Sequence, residues 1–191
     1  MYIEYEATFA KVNKDDIRQR LKAIGATKIK DEFLQRRSVF RLPVSNQIKG
    51  GWLRVRDEGD RVTMSLKIID GEAITDQKEI QIVVDSFAQA KELLISIGCQ
   101  EKAFQESRRE LWLLDRVEIT IDEWPFLEPF VEVEGDSEDV VKAVSEKLGF
   151  DYGQAKFCSV DTLYSEKYGI SIDKINNQTP RILFDMENPF V

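Results

Sequence analysis

Glu4 and Glu6, Asp122, Glu132 and Glu134, Arg54 and Arg56, and Lys67 are charged residues set in segments where charged or polar side chains alternate with apolar ones. In a β-strand alternate residues share a face. Glu4 and Glu6 then stand with Tyr2 and Thr8, opposite Ile3, Tyr5, Ala7 and Phe9; Glu132 and Glu134 stand opposite Val131 and Val133; Asp122 joins Thr120 and Trp124 against Val117, Ile119 and Ile121. Arg54 and Arg56 oppose Leu53 and Val55, and Lys67 lies with Ser65 and Thr63 against Met64, Leu66 and Ile68. A sheet with one wet face would show the same alternation. If the charged face is enclosed, columns of acids lose hydration and repel one another, and columns of bases do the same. A polyphosphate gripped by the bases, with Mg²⁺ or Mn²⁺ bridging its oxygens to the acids, answers both needs. The chain has no histidine and only two cysteines, Cys99 and Cys158. This excludes Ser-His-Asp and Cys-His nucleophile systems and argues against zinc or copper.

The segments that carry these columns read as antiparallel strands. Tyr2–Phe9 alternates throughout; Thr27–Leu42, Trp52–Asp57, Arg61–Ile69 and Gln77–Val84 follow, divided by turn sequences such as Glu58-Gly59-Asp60 and Asp70-Gly71. Ala103–Leu114, Val117–Trp124 and Phe130–Glu134 complete the set. Between them, Asp15–Ile24, capped by Asn13, places Ile17, Leu21 and Ile24 at helical spacing before Gly25. Ser86–Ile97 predicts a second helix with Phe87, Ala90, Leu93, Leu94 and Ile97 inward; Glu138–Leu148 and Val160–Tyr168 predict a third and fourth, stopped by Gly149 and Gly169. About eight strands can close a sheet around side chains and a ligand. Helices on the apolar side would turn the charged side into the lumen.

The chain has 191 residues, 42% of them hydrophobic, and no linker or low-complexity stretch, which fits a single domain over 1–191. Residues 170–191 are expected to form an extension packed on it through Ile182, Leu183, Phe184 and Phe190. Against 35 acids stand 27 bases, a formal charge of −8, which disfavours a nucleic-acid partner. No apolar run approaches the roughly 20 residues of a membrane-spanning helix. The first residues lack the basic and apolar regions of a secretory signal, so the expected location is the cytoplasm. A homodimer is an expectation left open.

The Glu4-Tyr5-Glu6-Ala7-Thr8 segment resembles the Glu-x-Glu-x-Lys signature of the CYTH superfamily, which includes class IV adenylyl cyclases, thiamine triphosphatases and inorganic triphosphatases. The resemblance continues in order through Leu53-Arg54-Val55-Arg56, Ser65-Leu66-Lys67, Lys78-Glu79-Ile80-Gln81, Arg109-Glu110-Leu111-Trp112, Ile121-Asp122-Glu123-Trp124 and Phe130-Val131-Glu132-Val133-Glu134-Gly135. It implies an α+β fold, a closed eight-stranded antiparallel triphosphate tunnel with helices outside. It further implies metal on Glu4, Glu6, Asp122, Glu132 and Glu134, and phosphates on Arg54, Arg56, Lys67 and Arg109, with Lys156 a looser match. Glu4, Glu6, Arg54, Arg56 and Lys67 would form the catalytic group. Arg109 is assigned by resemblance alone, since a register slip of one would turn Arg108 inward instead. Thr8, Gln77 and Ser107 stand where the family usually has a base; Lys78 and Arg108 would point the other way, and Arg37 could compensate.

The activity implied is metal-dependent processing of a nucleoside triphosphate or inorganic polyphosphate. Overall similarity leans toward the class IV cyclase branch, which converts ATP to cyclic AMP and pyrophosphate; hydrolysis is the other outcome. A non-catalytic tunnel that binds nucleotide or polyphosphate is the alternative, favoured by Thr8, Gln77 and Ser107.

Overall fold

The computed structural model describes residues 1–191. Ten strands are present: β1 Tyr2–Ile3, β2 Tyr5–Phe9, β3 Thr27–Arg41, β4 Gly51–Asp57, β5 Val62–Ile69, β6 Gln77–Val84, β7 Gln100–Leu114, β8 Val117–Glu123, β9 Phe130–Gly135 and β10 Arg181–Ile182. Five helices accompany them: α1 Lys14–Ala23, α2 Phe87–Ser96, α3 Glu138–Lys147, α4 Val160–Tyr168 and α5 Ile172–Gln178. The strands run β1-β6-β5-β4-β3-β7-β8-β9-β2, all antiparallel neighbours, with β10 parallel on β7. Only Glu4 separates β1 from β2, so the N-terminal segment stands at both ends of this order and closes the sheet into a barrel. A single expected strand is therefore two short ones, each paired with a different edge.

Helices cover the apolar outer face. Ile17 and Leu21 of α1 and Val141, Val144 and Leu148 of the α3 region pack with Ala7, Phe9, Ile119, Ile121, Val131 and Val133. Each such aliphatic side chain contributes about 1.5–3 kcal/mol on burial. Asn13 caps α1 by accepting from the Asp15 and Asp16 amides. The second helix buries Ala90 and Leu94 against Phe40 and Val55, but Leu93 and Ile97 are exposed, contrary to the inward face read from spacing. The Ala90/Leu94 row, with Phe87 partly buried beside it, is the part of α2 that meets the barrel, and the residues flanking that row stay in solvent. At one end of the barrel α4, α5 and the C-terminal segment gather Leu163, Tyr164, Ile175, Ile182 and Phe190 around Trp124 and Phe130. The fifth helix lies in a tail whose polar sequence gives no helical signal; Ser171 caps it and Ile175 anchors it. No helix is long and apolar enough to cross a membrane.

Candidate functional site

The lumen is a cavity of about 1400 Å³ whose walls carry the charged alternating residues. Register sets the rows: Arg37 lies opposite Arg56, Lys67 opposite Glu79, Arg109 opposite Asp122, and Glu6 opposite Glu134, which in turn faces Glu118. Glu4, Glu6, Asp122, Glu132, Glu134, Arg54, Arg56, Lys67 and Arg109 belong to this inner face. Arg108 turns outward over the Phe184 ring, which resolves the register in favour of Arg109.

The acids divide into two groups. Carboxylate oxygens of Glu4, Glu6 and Glu134 all lie within 4.8 Å of one another. Burial, then Glu132 and Glu4 nearby, raise the Glu6 carboxyl well above its usual range. Burial and Glu4 push Glu134 up to about 7. Three crowded carboxylates form an all-oxygen donor set, the kind Mg²⁺ or Mn²⁺ takes. Asp122 and Glu132 are engaged elsewhere. Arg109 donates through Nε and Nη2 to the two Asp122 oxygens at 2.8 and 2.9 Å and through Nη2 to Glu132 at 2.5 Å. Asp122 also accepts from Thr120 Oγ1 at 2.6 Å. The structure thus brings Glu4, Glu6 and Glu134 together, and sets Asp122 and Glu132 as partners of Arg109.

The bases join the acids in a chain along the wall. Lys67 Nζ lies 2.8 Å from Glu4 and 3.8 Å from Glu79, and Arg54 Nη2 donates to Glu79 at 3.0 Å. Burial opposes ionisation of Glu79, but Lys67 and Arg54 outweigh it and hold the carboxyl at about 2. Arg56 pairs with Glu58 at 2.7 Å. Burial, with Arg54 and Arg109 nearby, lowers its guanidinium to about 10. Glu79 and Glu58 are site residues that the column reading passes over. Glu79 carries the same signal, alternating with Gln77 and Gln81 against Ile80 and Ile82, whereas Glu58 sits in a turn where no periodicity applies.

Lys156 lines the cavity; its backbone pairs with Thr8 in both directions and its ammonium donates to Glu166 at 2.6 Å. Gln77 is buried and its amide donates to the Glu6 carbonyl at 2.8 Å, tying the break between β1 and β2 to β6. Ser107 is buried and bonded to Gln35 at 3.1 Å and to Arg37.

This closed barrel with an acidic triad beside a basic wall defines a class, and the sequence places the chain within it. The CYTH domain model matches residues 3–163, and the chain belongs to that family. Among solved structures, a candidate adenylate cyclase of Vibrio parahaemolyticus superposes with TM-score 0.74 at 13% identity, covering 85% of this chain and 98% of that one. The PH1012 protein of Pyrococcus horikoshii gives 0.69 at 20% identity, covering 84% and 98%. HpAC1 of Hippeastrum, a candidate adenylyl cyclase with a dominant triphosphatase activity, gives 0.61 at 13% identity, covering 89% and 99%. At such identities the likeness concerns the fold. The chain has no match among curated proteins.

Proposed function

We propose that the protein binds a triphosphate together with Mg²⁺ or Mn²⁺ in its barrel lumen and cleaves a phosphoanhydride bond there. The observation that carries this reading is that one cavity holds both halves of such a site: Glu4, Glu6 and Glu134 converge on one point, Lys67 adjoins them through Glu4, and Arg37, Arg54 and Arg56 line the same lumen. A divalent cation on the three glutamates would neutralise phosphate charge and activate an attacking oxygen or stabilise the leaving one. The chain's own work is positional and electrostatic. Arg54 and Arg56 would clamp phosphoryl oxygens, and Lys67, between Glu4 and Glu79, would span the two groups. In hydrolysis a water oxygen bonds the terminal phosphorus, the anhydride P–O bond breaks toward pyrophosphate, and one proton is released. If the attacker is the 3′-hydroxyl of ATP, the same bond change at the α-phosphorus gives cyclic AMP and pyrophosphate. A cavity of about 1400 Å³ exceeds the upper end of ordinary ligand pockets, roughly 1000 Å³, so a group larger than inorganic triphosphate fits.

Binding without turnover is the second reading, favoured by the neutral side chains of Thr8, Gln77 and Ser107 on or beside the inner wall. Incubation with ATP and, separately, with tripolyphosphate in Mg²⁺ or Mn²⁺ distinguishes the outcomes. Cyclic AMP with pyrophosphate identifies a cyclase, and phosphate release from tripolyphosphate identifies a hydrolase. A rise in melting temperature with neither product identifies a receptor. In all three cases the paired substitution Glu4→Gln and Glu6→Gln should abolish the metal-dependent part of the melting shift; an unaltered shift would remove the metal assignment.

A further inference from the structure

Four bases of the inner wall each have a carboxylate partner: Arg54 has Glu79, Arg56 has Glu58, Lys67 has Glu4, and Arg109 has Asp122 and Glu132. Arg37 has none. It projects from β3 into the lumen and is 6% exposed; its Nη2 donates only to neutral oxygens, Gln35 Oε1 at 2.8 Å and Ser107 Oγ, and its buried Nε has no acceptor at all. Directly opposite in the strand register stands Arg56, a like charge. Burial, then Arg56, Arg54 and Arg109, hold the Arg37 guanidinium well below its ordinary range. The Trp124 ring centroid lies 4.3 Å from the guanidinium carbon, a cation–π contact.

A buried cation facing other cations is costly unless an anion joins it. A guanidinium whose Nε–H is unengaged suits a phosphoryl oxygen, to which it can donate a charge-assisted hydrogen bond. We propose that Arg37 is a substrate-binding residue, which with Arg54 and Arg56 holds one phosphoryl group of the triphosphate on the basic wall. The inference rests on the reading of the lumen as a triphosphate site. It assigns to Arg37, supported by Gln35, Ser107 and Trp124, a contact that Ser107 cannot make for itself.

Two substitutions in the full chain test it, with tripolyphosphate as the probe in titration calorimetry and thermal melting, with and without Mg²⁺. Gln35→Glu is close to isosteric and gives Arg37 the missing carboxylate. It should raise the melting temperature of the ligand-free protein and weaken tripolyphosphate binding ten- to hundredfold, the loss expected when an internal anion competes for one charge-assisted contact. Arg37→Gln should weaken binding by a similar factor without lowering the ligand-free melting temperature, and Arg37→Lys should recover part of the affinity. A merely structural Arg37 would give the opposite pattern: lower ligand-free stability for Arg37→Gln, and tripolyphosphate affinity within twofold of the parent for both Arg37→Gln and Gln35→Glu. That pattern overturns the assignment. Failure of the parent chain to bind tripolyphosphate overturns the lumen reading and this inference with it, whereas parental binding unaffected by either variant overturns this inference alone.

Discussion

At the scale of the residue, the decisive feature is that identical side chains differ by environment. Glu79 sits between Lys67 and Arg54 and ionises at about 2, whereas Glu134, buried beside Glu4, ionises only near 7. The sign for stability follows. A carboxyl whose folded-state affinity for its proton is raised contributes nothing adverse below its unfolded value, near 4.3, and increasingly destabilises the fold as pH climbs toward its folded value. Metal-free protein should therefore lose stability between about pH 4.5 and 7, with Glu6 and Glu132 acting in the same direction. Glu79 and Glu58, held low by their cationic partners, act below that window. Thermal melts across this range, repeated for Glu134→Gln, measure the effect: the fall should be smaller in the variant. A stability that rises steadily from pH 4.5 to 7 in the metal-free parent would contradict it.

At the scale of the element, alternation makes the strands readable and leaves their ends and interruptions hidden. A period of two is imposed by the pleat and by having different media on the two faces, so Glu4/Glu6, Arg54/Arg56 and Glu132/Glu134 announce their common face directly. Nothing local announces that Tyr2–Ile3 and Tyr5–Phe9 pair with opposite edges, because that split is a requirement of closure, met by distant strands. Gln77 belongs to the same hidden class. Its amide reaches the Glu6 carbonyl across the split, and Glu4 N–H donates to the Gln77 carbonyl at 2.9 Å. Gln77→Leu should cost about 1–3 kcal/mol by leaving buried carbonyls unpaired. Hydrogen exchange should show faster opening at Glu4 and Glu6 before any other barrel strand; uniform exchange with unchanged stability would refute the stitching role. The α2 face departs from its spacing for a related reason. Spacing reports which residues share a side of a helix, but how wide a stripe is covered depends on the surface beneath it.

At the scale of the whole molecule, the barrel is stabilised from outside and loaded from inside. Apolar clusters under α1, α2 and α3 and around Trp124 brace the wall, and that bracing lets the lumen retain opposed charges that would not assemble alone. The column residues of the lumen are legible in the amino-acid order, whereas the division of the acids into a triad and a set of Arg109 partners is not. That division depends on which strands become neighbours: Arg109 lies beside Asp122 only because β7 pairs β8 in one register. The same neighbourhoods create the unpartnered Arg37. The most direct measurement of the central claim is a crystal structure of the protein with Mn²⁺ and tripolyphosphate, with anomalous scattering locating the metal. The account predicts a manganese peak bonded to Glu4, Glu6 and Glu134 and phosphate oxygens on Arg54 and Arg56 within the lumen. Manganese and anion bound on the outer surface, with the lumen free of both, would contradict it.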